Sequence, residues 1–159
     1  MIRGTFRKGL GFGLTSGIIT TVGLLVGLYT STNSKLAVIG GILTVAVADA
    51  FSDALGIHIA EEFSAQRTKQ EVREITVSTF LFKFFFSAIF IIPIIFLDLF
   101  WAIIISVIFG LGMIGFFSYK FAKLQKINPQ KAAVEHLIVA IVVVIIAYYI
   151  GHLISFIFS

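Results

Sequence analysis

Apolar positions in this chain run on rather than alternate. Gly9 to Tyr29, Leu36 to Ala60, Ile75 to Leu97, Leu99 to Tyr119 and Leu137 to Phe158 are five predominantly apolar stretches separated by short polar ones. About 20 such residues cross a bilayer as a helix, so the pattern predicts five transmembrane helices, at about 9–29, 36–60, 75–97, 99–119 and 133–158. A transmembrane barrel is not expected, because its strands alternate over short segments. The third and fourth stretches are nearly fused. Asp98, with Pro93 just before it, marks a tight helical hairpin there. The expected fold class is all-α: a polytopic membrane protein forming one transmembrane domain over residues 1–159, with no separate soluble domain.

Basic residues add an orientation. Arg3, Arg7 and Lys8 precede the first span, Arg67, Lys69 and Arg73 lie between the second and third, and Lys120, Lys123, Lys126 and Lys131 lie between the fourth and fifth. The opposite side holds Lys35 alone, and Lys83 falls within a span. Cytoplasmic loops retain Lys and Arg, so the N-terminus is expected in the cytoplasm and the C-terminus outside, in the cell membrane if the host is prokaryotic. The formal charge of +4 is explained by this asymmetry, and no nucleic-acid partner is expected. The first stretch is too long for a signal peptide and lacks a clear small-x-small cleavage pattern, so it is read as an uncleaved helix.

Composition narrows the chemistry. With 58% hydrophobic and 13% charged residues the chain suits a bilayer, and with no cysteine it has neither thiolate metal site nor cysteine nucleophile. No phosphate loop or Ser, His and Asp grouping is present, so the chain is not expected to be an enzyme. Glycines at Gly9, Gly13 and Gly17, then at Gly23 and Gly27, permit close helix packing, expected mainly within the chain. The spans show no internal repeat, and five helices do not divide into inverted halves.

The strongest chemical signal is Asp49 and Asp53, set in a run of small residues inside the second span. An ionised Asp at mid-helix costs about 2.5–3.5 kcal/mol on insertion scales, so two of them call for water, a cation or a basic partner. Four steps of about 100° put both on one helical face, with Ser52 near the same stripe. Such an oxygen-only groove suits hard or borderline divalent cations, Fe²⁺, Mn²⁺, Mg²⁺ or Ca²⁺, and two adjacent carboxylates also suit proton relay.

Lys83 is the competing partner. It lies about 12 Å into the third span and Asp53 about 11 Å from the same end of the second, so their depths match. Lys83 either neutralises Asp53 for folding, balances the site when a cation leaves, or snorkels to the interface. His58 and Glu62 form an i, i+4 pair beside Glu61 at the end of the second span, half a turn out of phase with Asp49, hence a separate outer cluster. Glu135 favours the helix N-terminus it occupies. His136 and His152 are about 24 Å apart along one helix and cannot share a site.

Phe12-Gly13-Leu14-Thr15-Ser16-Gly17, Gly40-Gly41, the run Ala48 to Gly56, Thr79 to Phe84 and Glu135-His136 together resemble the vacuolar iron transporter family over most of the chain. The resemblance implies a homodimer that exchanges Fe²⁺ or Mn²⁺ for protons, the metal leaving the cytoplasm and none being bound permanently. This chain departs from the family in having Thr5-Phe6-Arg7-Lys8 where an Asp is usual, Asp53 where a methionine is usual, and Ile57 in place of a glutamate. The long acidic cytoplasmic domain is reduced to Glu61 through Glu74.

The expected function is therefore proton-coupled divalent-cation transport. Asp49, Asp53 and Ser52 are its metal ligands, Glu61 and Glu62 a cytoplasmic attraction site, and Asp49, Asp53 and Lys83 its proton or charge-balancing groups. Thr15, Ser16, His58, Glu135 and His136 are further pathway residues. Two alternatives stand beside it: a non-transport assembly protein with a structural Asp–Lys pair, and a carrier of another small cation.

Overall fold

The computed structural model describes residues 4–64 and 67–158; Arg3 of the N-terminal basic cluster lies outside them. The described residues are all-α: α1 (Gly4–Thr32), α2 (Lys35–Phe63), α3 (Lys69–Ala88), α4 (Ile91–Phe96), α5 (Leu99–Leu124) and α6 (Pro129–Phe158). Five helices are long and apolar enough to cross a membrane, α3 and α4 counting together as one. They run past the apolar stretches. At 29 residues α1 is about 43 Å long, against a hydrocarbon core of about 30 Å. Arg7, Lys8, Lys120 and Lys123 are therefore helical, which shortens the connections to 64–68 and 125–128.

Local chemistry sets the ends. Ser34 caps α2 by accepting from the Ala37 amide, and Thr68 caps α3 in a reciprocal box with Glu71. Proline lacks an amide hydrogen, so Pro93 sits in the first turn of α4, where none is needed, and α3 stops before it. Leu97 and Asp98 then make the turn into α5. The Lys35 ammonium donates to the carbonyls of Ile95 and Leu97, at 3.2 and 3.1 Å, and so caps the end of α4 with a positive charge.

Contacts between helix ends define an up-and-down bundle. Thr5 of α1 donates to Glu74 near the start of α3, and Lys8 pairs with Glu61 at the end of α2. His136 at the start of α6 meets Ser118 near the end of α5. At the other end, Lys35 meets the α4 terminus. Nearly all basic residues thus gather at one end of the bundle, hereafter the basic end, and Lys35 lies at the other.

α1 is the central helix: half of its apolar stretch is buried, against 11% for α6. Its glycine row is used inside the chain. A Cβ at Gly13 would stand 2.6 Å from the Thr79 carbonyl oxygen, and one at Gly17 3.0 Å from that of Lys83, so only glycine lets α1 lie this close to α3. The core is Leu14, Ile18, Val22 and Leu25 of α1, closed by Val38 and Ile42 of α2, Ile114 of α5 and Phe90 from the joint between α3 and α4.

α2 is peripheral and two-sided. Val38, Ile42, Ala46, Ala50, Ala54, Ile57 and Glu61 form its buried row. Gly40, Thr44, Ala48, Ser52, Gly56 and Ala60 form an opposite row, all small and all exposed. Asp49 and Asp53 precede Ala50 and Ala54 by one residue, about 100° round the helix, and so lie on the flank between the two rows.

Candidate charge-binding site within the helical bundle

The site is built where α1, α2 and α3 meet. Close approach of Gly13 and Gly17 to the Lys83 backbone brings the intervening α1 turn, with Ser16, against the Lys83 side chain. Lys83 is fully buried and reaches across to α2. Its ammonium donates to Ser16 Oγ at 2.9 Å and to Asp53 Oδ2, and Ser16 Oγ in turn donates to the same Asp53 oxygen at 2.6 Å. Asp49 Oδ2 lies 2.6 Å from the ammonium, an ion-pair distance. That oxygen is buried, and the ammonium, which has three donors and also meets Ser16 and Asp53, is its partner. Both carboxylates meet the ammonium, and Asp53 differs in also accepting a hydrogen bond from Ser16 Oγ.

Two carboxylates share one ammonium, so with all three ionised the cluster carries one negative charge in excess. Asp49 and Asp53 side chains keep 30% and 22% of their surface exposed, on the flank of α2 beside its small-residue row. Lipid cannot solvate that charge, and water, a proton or another cation is required to balance it.

Depth matching had paired Lys83 with Asp53; the structure extends the pair to both aspartates, and the buried ammonium does not snorkel to an interface. Ser16 joins them as a non-ionic member. Ser52 does not, because it stands on the exposed outer row of α2. Among the described residues, no group of three or more His, Cys, Asp or Glu side chains is arranged to hold a metal ion.

The remaining acidic and histidine residues are placed elsewhere. Glu61 is buried at the basic end, where it pairs with Lys8 and, at 3.4 Å, with Arg67. Glu62 is exposed and lies 3.7 Å from His58 Nε2, while His58 Nδ1 meets Thr76 Oγ1 at 2.9 Å. Sequence spacing found the His58–Glu62 pair. It could not find Lys8, Arg67 or Thr76, because each lies on a different element from its partner and no periodicity links them.

Thr15, Glu135 and His136 line a separate cleft of about 970 Å³ at the basic end. It lies between α1 and the facing ends of α5 and α6, with Ile57 of α2 also on its wall. Ser16 touches both this cleft and the charged cluster. Arg7 and Lys8 stand on the cleft wall, which disfavours it as an approach for cations. No family model, curated protein or solved structure matches this chain.

Proposed function

We propose that the chain is a proton-coupled carrier of a divalent cation, Fe²⁺ or Mn²⁺ by its sequence resemblance, in which Lys83 is the resident counter-cation. The observation that carries this reading is the imbalance of the cluster: a fold-stabilising pair needs one carboxylate for Lys83, and this site has two. Asp49, which lacks the hydrogen bond that Ser16 gives Asp53, is the carboxylate left to an exchangeable partner. In the cation-free state a proton balances the excess charge. When a metal binds between Asp49 and Asp53, with Ser16 as a neutral oxygen donor, the proton leaves and the ammonium is displaced along α3.

The reading includes orientation and assembly. The basic end faces the cytoplasm, so the N-terminus is inside, the C-terminus outside and the metal exported. A second copy packs on the exposed row from Gly40 to Ala60, where a Cβ at Gly40 or Gly56 meets nothing in this chain. That seam runs beside Asp49 and Asp53 and shields their exposed edges from lipid. No catalytic activity is proposed.

One observation favours a second reading, a structural clamp in a non-transport protein. Lys83 is fully buried and joins α1, α2 and α3 in one cluster. Metal-dependent thermal shift and uptake into proteoliposomes, with Fe²⁺, Mn²⁺, Zn²⁺ and Mg²⁺, separate the two. The carrier requires a shift and uptake that Asp49→Asn removes. No response to any metal by the wild-type protein leaves the clamp.

A further inference from the structure

The cleft at the basic end has an amphipathic lining that the carrier reading does not use. Its mouth is polar and cationic, with Arg7, Lys8 and Gln125, and below it Phe12, Ile19 and Phe121 give an apolar wall interrupted by the hydroxyls of Thr15, Ser16 and Thr20. Arg7 to Ile19 covers about 18 Å along α1, close to the depth of one leaflet, about 15 Å of hydrocarbon. A small hydrophilic ion would leave most of that wall unsatisfied. A molecule with a charged head and a hydrocarbon chain would match it from end to end.

The charge at the mouth fixes the sign of the head. Among the described residues Arg7 has no ion-pair or hydrogen-bond partner, and Lys8 shares the single carboxylate of Glu61 with Arg67. Glu135 also lines the cleft, but its carboxylate lies 3.9 Å from Lys131 Nζ. His136 Nδ1 is engaged by Ser118 Oγ at 2.8 Å, which orients the ring and leaves Nε2 without a partner among the described residues. Beyond the wall, Lys123 and Lys126 are exposed and form no ion pair among the described residues. The excess is positive, and a guanidinium beside an imidazole suits a phosphate oxygen.

We infer that this cleft is a binding site for one anionic phospholipid, its phosphate head at Arg7 and His136 and an acyl chain along Phe12, Ile19 and Phe121. Basic pockets between membrane helices hold anionic headgroups in this way, and lipid there closes the α1 flank of the bundle without touching Asp49. The site does not depend on metal transport, and a protein acting only as a clamp would have it equally.

Native mass spectrometry of the full chain in detergent, titrated with phosphatidylglycerol, phosphatidylcholine or phosphatidylethanolamine, tests it. One phosphatidylglycerol per chain is expected to persist at activation that strips the other two. Arg7→Gln is expected to weaken it about fivefold, the effect of one basic residue at an anionic surface, while Arg7→Lys retains it. Arg7 has no partner to lose, so Arg7→Gln should melt like the wild type in lipid-free detergent. Equal retention of phosphatidylcholine, or an unchanged affinity in Arg7→Gln, overturns the inference. Displacement of the lipid by inorganic phosphate at equal concentration also overturns it, leaving a site for a free anion.

Discussion

Lys83 holds an Asp49 oxygen at 2.6 Å and also hydrogen-bonds Asp53, which accepts a further bond from Ser16 Oγ. The two aspartates, one turn apart and chemically identical, are therefore unequal. Asp53 is tied to α1 through Ser16 as well as to Lys83 of α3, and Asp49 to Lys83.

Removing each partner should expose that inequality. Lys83→Met strands two carboxylates and is expected to destabilise the bundle by about 3–5 kcal/mol, the range for breaking a buried ion pair from one side. Asp49→Asn relieves the excess charge and should change stability by less than about 1 kcal/mol. Adding Asp49→Asn and Asp53→Asn to Lys83→Met should restore most of the loss. Denaturant unfolding in micelles, analysed as a mutant cycle, measures all three.

The glycine row of α1 positions the site at a distance. Gly13→Ala would set a methyl 2.6 Å from the Thr79 carbonyl, a backbone atom with little room to yield. The expected cost is about 1–3 kcal/mol of overpacking. As α1 moves off α3, Ser16 should withdraw from Lys83 as well, so metal-dependent stabilisation should fall together with the melting temperature.

The two exposed α2 glycines should behave in the opposite way. A Cβ at Gly40 or Gly56 touches nothing in this chain, and alanine improves helix propensity by about 0.8–1.0 kcal/mol. If the outer row is the seam between two copies, Gly56→Leu should leave the monomer folded while shifting the protein to monomers. Sedimentation velocity in density-matched detergent reads the outcome, and a wild-type protein that is already monomeric removes the homodimer.

Lys35 offers a test remote from the site. Its ammonium satisfies two carbonyls at the end of α4, so Lys35→Met should cost about 0.5–1.5 kcal/mol and loosen the turn at Leu97 and Asp98. Faster amide exchange confined to the start of α5 would report it.

The five long apolar helices, the interruption at Pro93 and Asp98, the shared face of Asp49 and Asp53, and the matching depth of Lys83 were all legible in the sequence. Each follows from rise and rotation per residue or from proline's missing amide, which are local properties. Only the tertiary structure decided which small-residue row meets a neighbour in the same chain. Gly13 and Gly17 face α3, while Gly40 and Gly56 face outward, though both rows have the same helical spacing. It likewise decided that Ser16 and not Ser52 completes the charged cluster, and that Glu61 is buried against Lys8 and Arg67. These contacts join different helices, and their geometry depends on how closely the backbones approach. Helical periodicity sets the direction of a side chain from its own axis but is silent on what stands opposite.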